Sequence, residues 1–280
     1  MPELPEVETV ARGVHARIRG DRIVEIWFGS HREPFKNPAK QQARGLQGRV
    51  ILAVHRTGKH IVCELSAAGA APGPSGVPAA QWIVHLGMTG RLLVTTPDAP
   101  HAPHTHVRLS LASGRELRFV DPRRFGRLEF RDLSRGQGFS GPGAEPLIIE
   151  SADFAVLFRR RRLAIKAALL NQTLLAGVGN IYADESLFRA GIRPRKAAGR
   201  LTRADLERLR VALVEVLQQA IRAGGSSVSD YVGADGERGF FQLEHCVYQR
   251  TGEPCRVCET PIRRIIVGGR STHYCPACQR

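Results

Sequence analysis

The chain opens Met1-Pro2-Glu3-Leu4-Pro5-Glu6-Val7-Glu8-Thr9-Val10, and two neighbours in that string could do covalent chemistry together. Proline at position 2 is small enough to let the initiator methionine be removed, which would leave Pro2 as a free secondary amine. An α-amino group titrates at about 7.7–8.0, well below a lysine at about 10.4, so much of it is unprotonated near neutral pH. A neutral amine is a nucleophile. A secondary amine attacking a sugar carbon gives an iminium that is already cationic and serves as an electron sink. Glu3 sets a carboxyl beside whatever the amine attacks. A Met-Pro opening is equally what simple methionine trimming requires, so these two residues do not settle a function by themselves.

Other stretches carry chemistry further along. Cys255-x₂-Cys258 and Cys275-x₂-Cys278 are 16 residues apart, the spacing of a four-thiolate zinc site. Two disulfides are the alternative. Such a zinc has no open coordination position, so one structural Zn²⁺ is expected. Cys63 and Cys246 fall outside the pattern and read as buried apolar residues. Lys59 lies in Thr57-Gly58-Lys59-His60 before a strand, where a lysine is ordinarily a solvated charge. Met88 sits between glycines in His85–Gly90, as core filler or as an exposed apolar finger. Asp121-Pro122-Arg123-Arg124-Phe125-Gly126 sets two cations beside an aromatic ring. Enzymes that act on a base must empty its place in the stack and fill the hole with inserted side chains. An ordinary hairpin turn with Phe125 in the core is the other reading. Gly177 and Gly179 precede a new helix at Asn180, whose free N–H groups form a phosphate cradle. No Gly-Lys-Ser/Thr follows, so this is not a P-loop.

Regular elements must hold these groups in place. Pro5 suits the first turn of a helix, and Val7, Val10, Ala11, Val14 and Ile18 give it one buried face. Glu3 and Glu6 lie at its positive end. From Arg22 to Phe130 come short β-branched and aromatic runs: 23–28, 50–54, 60–65, 81–85, 91–95, 106–111, 116–120 and 127–130. They predict an antiparallel sandwich or barrel. Ala67–Ala80, built from Ala, Gly, Pro and Ser, is expected to be a disordered, dispensable surface excursion. Residues 136–150 form a linker without period. A helical pattern follows, with Phe154, Ala155, Val156 and Phe158 on one apolar face, Lys166 on a short piece at 164–170, and a long helix over 201–223. The polar, glycine-rich stretch 226–240 is too long for a casual connection. Arg263–Val267 and Ser271–Tyr274 flank Gly268-Gly269 as a hairpin with Arg270 at its tip.

Lys+Arg of 41 against Asp+Glu of 26 gives a net charge of +15 and a pI near 10.5, which favours a polyanionic partner. No run of 18 apolar residues occurs, so no membrane span is expected. The acidic, proline-punctuated start is not a secretory signal. Without heptads, a monomer is expected.

The opening decamer, Thr57–His60, Asp121–Gly126, Gly177–Glu185 and the cysteine quartet occur in an order that resembles the bacterial formamidopyrimidine-DNA glycosylases, of the formamidopyrimidine-DNA glycosylase and endonuclease VIII family. Pro-Glu-Leu-Pro-Glu-Val looks like that branch, whereas the endonuclease VIII branch usually opens Pro-Glu-Gly-Pro-Glu. The resemblance implies an α+β chain. Residues 2–135 would form a catalytic antiparallel β-sandwich with a leading helix, and 151–243 a helix–two-turn–helix domain whose loop 226–240 folds over the extruded purine. Residues 244–280 would form a β-hairpin zinc finger. It further implies a bifunctional DNA glycosylase and AP lyase of base excision repair. The substrate is double-stranded DNA carrying oxidised purines or abasic sites, and the setting is the cytoplasm and bacterial nucleoid. Pro2 would be the nucleophile, Glu3 the acid/base group, Lys59 a phosphate ligand beside the reacting sugar, and Glu6 a support. Met88, Arg123 and Phe125 would fill the void, with Arg124 in the same DNA-facing turn. Lys166, Asn180 and Arg270 would bind phosphates, and Glu185 would be structural. Two rivals remain, a non-catalytic zinc-ribbon nucleic-acid-binding protein and an endonuclease VIII-like glycosylase for oxidised pyrimidines.

Overall fold

The structure, a computed structural model, describes residues 1–31, 34–71, 73–227, 233–237 and 239–280. The chain forms two compact units, Met1–Gly141 with Gly224–Gly239, and Pro142–Ala223 with Phe240–Arg280.

In the first unit, helix α1 (Leu4–Ile18) buries Leu4, Val7, Val10, Ala11, Val14 and Ile18, the stripe that the three- and four-residue spacing predicts. Strands β1 (Ile23–Phe28), β6 (Thr105–Leu111), β7 (Glu116–Val120) and β5 (Arg91–Thr95) form one antiparallel sheet in the order β1-β6-β7-β5. The other sheet runs β2-β3-β4-β8, from β2 (Ile51–Thr57), β3 (His60–Leu65), β4 (Ala80–His85) and β8 (Arg127–Asp132). Trp82, Phe119, Leu109 and Leu128 are among the residues that join α1 in one apolar core. Register places the functional turns together. Thr57 pairs with His60, His60 with His85, and His85 with Arg127. The Lys59 turn, the Met88 loop and the 121–126 turn therefore share one end of the sandwich.

Three features depart from expectation. Helix α2 (Ala39–Leu46) interrupts the run of strands and buries only Gln42 and Leu46, too few positions for a period to show. Its Gly45 lies against the Phe130 ring, which any Cβ would overlap. The described residues of the 67–80 excursion are held by the body of the unit: Gly73 N donates to Gly20 O at 3.2 Å and Arg22 Nη2 to Ala70 O at 2.7 Å, and its last residue, Ala80, is already strand. The described residues of 224–239, a segment expected within the helical domain, fall in the sandwich unit. Buried Ala234 joins the sandwich core and accepts from Val94 N at 3.0 Å, and Asp235 pairs with Arg17 at 3.0 Å.

The second unit contains α3 (Ser151–Phe158), α4 (Ile165–Leu169), α5 (Asn180–Arg189), α6 (Arg203–Arg222) and the hairpin β9 (Arg263–Val267) with β10 (Arg270–Tyr274). Thr202 and Asp205 form a capping box at the start of α6, which buries Leu206, Leu209, Leu213 and Leu217 as its spacing predicts. On α3 only Phe154 and Phe158 are buried; Val156, expected on the apolar face, is exposed. The zinc hairpin is not a separate body, since β10 packs on α5 within this unit.

Candidate active site and nucleic-acid interface

Pro2 is buried, and its nitrogen forms the Met1–Pro2 amide. Glu3 is the N-cap of α1, and its side chain and that of Glu6 take each other's backbone N–H in a reciprocal box. Glu6 Oε2 accepts from Glu3 N at 2.8 Å while Oε1 accepts from Ser226 N at 2.7 Å. One carboxylate thus holds both the backbone of Glu3, next to Pro2, and the start of the 226–240 stretch. Arg56, whose side chain is 5% exposed, pairs with Glu8 of α1 at 2.8 Å and donates to Gly58 O at 3.0 Å. That contact sets the first half of α1 beside the Lys59 turn.

Lys59 is only 7% exposed, so the ordinary solvated-charge reading of this lysine does not hold. Beside its turn, the His60 and His85 rings lie 4.9 Å apart and Phe139 covers His60 at 4.6 Å. Burial, then the charge of Lys36, pushes His60 from 6.5 down to about 4. Burial, then the charges of His60 and Lys59, does the same to His85. Both rings are neutral at physiological pH, and His85 Nδ1 is free to accept from Gly87 N at 3.2 Å.

Met88 is 39% and Phe125 49% exposed, so Phe125 is not tucked into the core. Arg123 stacks over the Phe125 ring at 5.0 Å. The two turns touch: a Cβ on Gly87, at φ +64°, would meet Gly126 N at 2.5 Å. Asp121, fully buried, fastens them. Its Oδ1 accepts from Thr89 Oγ1 at 2.6 Å and from Arg123 N at 3.3 Å, and its Oδ2 accepts from Gly126 N at 2.8 Å. Arg124 holds a left-handed φ of 56° with its guanidinium 3.3 Å from His31 Nδ1. Apolar and cationic side chains thus project from a rigid base.

In the second unit, Asn180 begins α5 directly after the extended Gly179 and donates from Nδ2 to Ser271 O at 3.0 Å. Lys166 departs from its expected place on a phosphate-facing surface. It is fully buried, with Nζ 2.7 Å from Asp184 Oδ1, 2.7 Å from Ser271 O and 2.8 Å from Thr272 Oγ1. An ammonium has three donors, and all three are committed to protein. Asp184, also fully buried, accepts from His273 N at 2.9 Å. Lys166 and Asp184 therefore dock β10 onto α5, and Arg270 stands exposed at the start of that strand. Glu185 accepts from three successive N–H groups, Cys246, Val247 and Tyr248, at 2.9, 3.0 and 2.8 Å. Burial pushes its carboxyl up, and the three N–H groups oppose that shift.

The sulfurs of Cys255, Cys258, Cys275 and Cys278 all lie within 4.8 Å of one another. Neighbouring pairs stand 3.9, 3.4 and 3.3 Å apart. A tetrahedron with Zn–S bonds of about 2.3 Å has edges of about 3.8 Å, so the quartet fits one structural zinc. Val257 N and Cys278 N point at Cys255 Sγ and Cys275 Sγ at 3.5 and 3.4 Å, as backbone donors to metal thiolates do. All four thiolates would be ligands, which gives the ion a structural role only.

The formamidopyrimidine-DNA glycosylase N-terminal domain model matches residues 1–128, the formamidopyrimidine-DNA glycosylase H2TH domain model residues 143–232, and the model of the zinc finger found in FPG and IleRS residues 252–280. The formamidopyrimidine-DNA glycosylase of Solibacter usitatus is 46% identical over all of both chains. This chain belongs to the formamidopyrimidine-DNA glycosylase family. The formamidopyrimidine-DNA glycosylase of Thioalkalivibrio sulfidiphilus is 44% identical, again over all of both chains. Among solved structures, the Lactococcus lactis Fpg in complex with DNA containing an abasic site has a TM-score of 0.86 at 35% identity and 99% coverage of each chain. The MutM (Fpg) protein of Thermus thermophilus has a TM-score of 0.83 at 38% identity, covering 99% of this chain and 98% of that one.

Within this family fold, the groups that hold the candidate site residues in place are ones to which the sequence assigns no role of their own. Arg56, Asp121 and Asp184 are common residue types whose partners lie far away in sequence. Only the stray acid before Pro122, and the acid pair 184–185 inside an otherwise apolar helix, hint at them. Of the expected capping loop 226–240, residues 228–232 and 238 lie outside the described residues. Among the described residues, no helix is long and apolar enough to cross a membrane.

Proposed function

We propose that this chain removes oxidised purines, 8-oxoguanine and formamidopyrimidines, from duplex DNA and then cuts the strand at the resulting abasic site. The observation that carries the reading is the fixing of Pro2 and Glu3 by the Glu3–Glu6 box, with α1 tied through Arg56 to the Lys59 turn. That turn shares its end of the sandwich with the exposed Met88 and Phe125. The match to glycosylases along the whole chain supports it.

Once Met1 is removed, the Pro2 nitrogen attacks C1′ of the damaged nucleotide, and the base leaves with the bonding electrons of its glycosidic bond. Glu3 gives a proton to the ring oxygen as the sugar opens, which produces the C1′ iminium. Loss of the C2′ proton expels the 3′ phosphate, and a second elimination expels the 5′ phosphate. Water then hydrolyses the iminium and returns the amine. Lys59 holds a phosphate beside the sugar, and Glu6 keeps the terminus in register. Met88, Arg123 and Phe125 occupy the space of the everted nucleotide, with Arg123 against the orphaned cytosine and Arg124 beside it. Asn180 and Arg270 take backbone phosphates, while Lys166 serves by positioning the Arg270 strand. Such phosphate contacts are blind to sequence, so the enzyme selects lesions, not sites. A monomer working on the nucleoid in the cytoplasm suffices for this chemistry.

The test is a borohydride trap on duplexes carrying 8-oxoguanine opposite cytosine, with the adduct mapped by mass spectrometry. An adduct on Pro2 is expected. A zinc-loaded chain beginning at Pro2 that binds the duplex and yields no adduct would overturn the reading in favour of a binding protein. An adduct formed only with oxidised pyrimidines would move the substrate to the endonuclease VIII class.

A further inference from the structure

Arg91 is a cation for which the fold supplies no anion. It opens β5 immediately after the Met88 loop. There Gly90 N donates to Leu86 O at 2.8 Å, and a Cβ on Gly90 would overlap that same oxygen, so the loop delivers the chain to β5 in one position. Arg91 pairs with Val120, the residue before Asp121. It therefore stands between the Met88 loop and the 121–126 turn.

Leu92 lies in the core and Val94 packs against it, so alternation puts Arg91 on the outer face of the sheet, with Arg108 and Arg118. Those two show what a structural arginine looks like on this face. Arg118, buried, pairs with Glu116 at 2.7 Å and donates to Ala99 O and Pro100 O at 3.0 Å each. Arg108 lies 3.6 Å from Glu116 and 4.0 Å from Glu25. Glu25 and Glu116 are the carboxylates that the strands of this sheet contain, and both are taken. Arg91 is half-buried, with Nε shut off from solvent and without a partner, and none of its nitrogens bonds or ion-pairs with a described residue. A buried polar atom without a partner is uncommon enough to need a reason. The packed stem leaves the guanidinium little rotamer freedom to lose on binding, and its charge is uncompensated.

Its place in the fold selects the anion. The Met88 loop crosses from β4 in one sheet to β5 in the other, and the 121–126 turn crosses back from β7 to β8. The Lys59 turn lies on the β2-β3 side of these two crossings and Arg91 on the β5-β7 side. In the function proposed above, Lys59 takes a phosphate of the damaged strand while Met88, Arg123 and Phe125 fill the gap in the stack. The second strand then runs beyond those turns, where Arg91 stands. We propose that Arg91 binds a backbone phosphate of the undamaged strand beside the orphaned cytosine. The inference rests on that function and adds to it a hold on the second strand, which favours duplex over single-stranded DNA.

The test compares zinc-loaded wild-type protein, beginning at Pro2, with Arg91→Gln in binding a duplex that carries a tetrahydrofuran abasic analogue opposite cytosine. Single methylphosphonate linkages, which lack the phosphate charge, are placed in turn along either strand. Arg91→Gln should weaken duplex binding about tenfold, the loss of one hydrogen bond to a charged group, and lower the slope of log Kd against log salt by about 0.9. Binding of the damaged strand alone and the melting temperature should hold. One methylphosphonate in the undamaged strand should weaken binding by the wild type and leave Arg91→Gln unaffected. Unchanged affinity and slope in Arg91→Gln, or a loss that no linkage of the undamaged strand reproduces, overturns the proposal. Coupling of Arg91 to a linkage in the damaged strand overturns it equally. A wild-type protein that fails to bind the abasic duplex at all would sink the proposed function, and this inference with it.

Discussion

The buried pair Lys166–Asp184 offers a prediction in which two roles for one lysine diverge. Removing one partner of a fully desolvated ion pair strands the other charge, at a cost of about 3–5 kcal/mol. In Asp184→Asn the ammonium keeps Ser271 O and Thr272 Oγ1, so the expected loss sits near the lower bound, about 3 kcal/mol. Lys166→Met strands the Asp184 carboxylate and should cost about as much. The double variant strands no charge, leaves only neutral acceptors short of a donor, and should cost about 2 kcal/mol. The pair is therefore strongly non-additive, by about 4 kcal/mol. Calorimetry of the zinc-loaded protein gives the stabilities, and about 3 kcal/mol corresponds to roughly 10 °C in the transition of the second unit. The DNA arm is read from log Kd against log salt, where each phosphate contact contributes about 0.9 to the slope. Arg270→Ala should lose about one such increment, and the double variant Lys166→Met/Asp184→Asn none. A double variant that costs the sum of the singles, or whose slope drops by one contact, would refute the positioning role and return Lys166 to the phosphates.

Three further outcomes follow from the same contacts. Phe125→Ala removes an exposed stacking surface worth about 1–3 kcal/mol per base, so base excision should slow about tenfold or more while nicking of a preformed abasic site and thermal stability hold; equal loss of both activities would contradict a void-filling role. His60 and His85 titrate at about 4 in the folded chain against 6.5 when free, so below pH 6.5 the unfolded chain binds more protons. Stability should be full above pH 6.5 and decline toward pH 4, and His60→Gln should flatten that decline in melting curves recorded across the range. Stripping zinc with a chelator should unfold the β9–β10 hairpin and abolish duplex binding, since a structural zinc supplies on the order of 10 kcal/mol; zinc addition should restore binding, and retained affinity in verified apo-protein would rule out Arg270 as a phosphate ligand.

What the sequence made legible was local. The Val7–Ile18 period, the strand runs, the apolar spacing along α6 and the cysteine spacing each express a rule that acts over a few residues. Helix α2 escaped because eight residues with two buried positions give no period, and its register depends on Gly45 meeting Phe130 far along the chain. The excursion 67–80 read as loose from its composition, yet composition does not reveal that Gly20 and Arg22 tie it down. Lys166 was expected at a phosphate because the family resemblance places it there, and nothing near it in the sequence shows that Asp184 lies opposite. The metal-binding groups, and the residues proposed as reactive, stood out because their chemistry demands particular residue types. The groups that aim them did not, because any carboxylate or guanidinium in the right place would serve.

Asp121 fastens the Met88 and Phe125 turns without itself reaching the surface, while Met88 and Phe125 support little of the fold around them. Surface substitutions free of such ties usually shift stability by no more than about 0.5 kcal/mol. The fold therefore separates what is touched from what does the holding. On the proposed reading, a lineage can exchange the residues at positions 88, 123 and 125, and so drift in which base it accepts opposite the lesion, without passing through an unfolded intermediate. The same separation makes these three positions the natural ones to randomise in a directed search for altered preference in the base opposite the lesion, with Asp121 left alone.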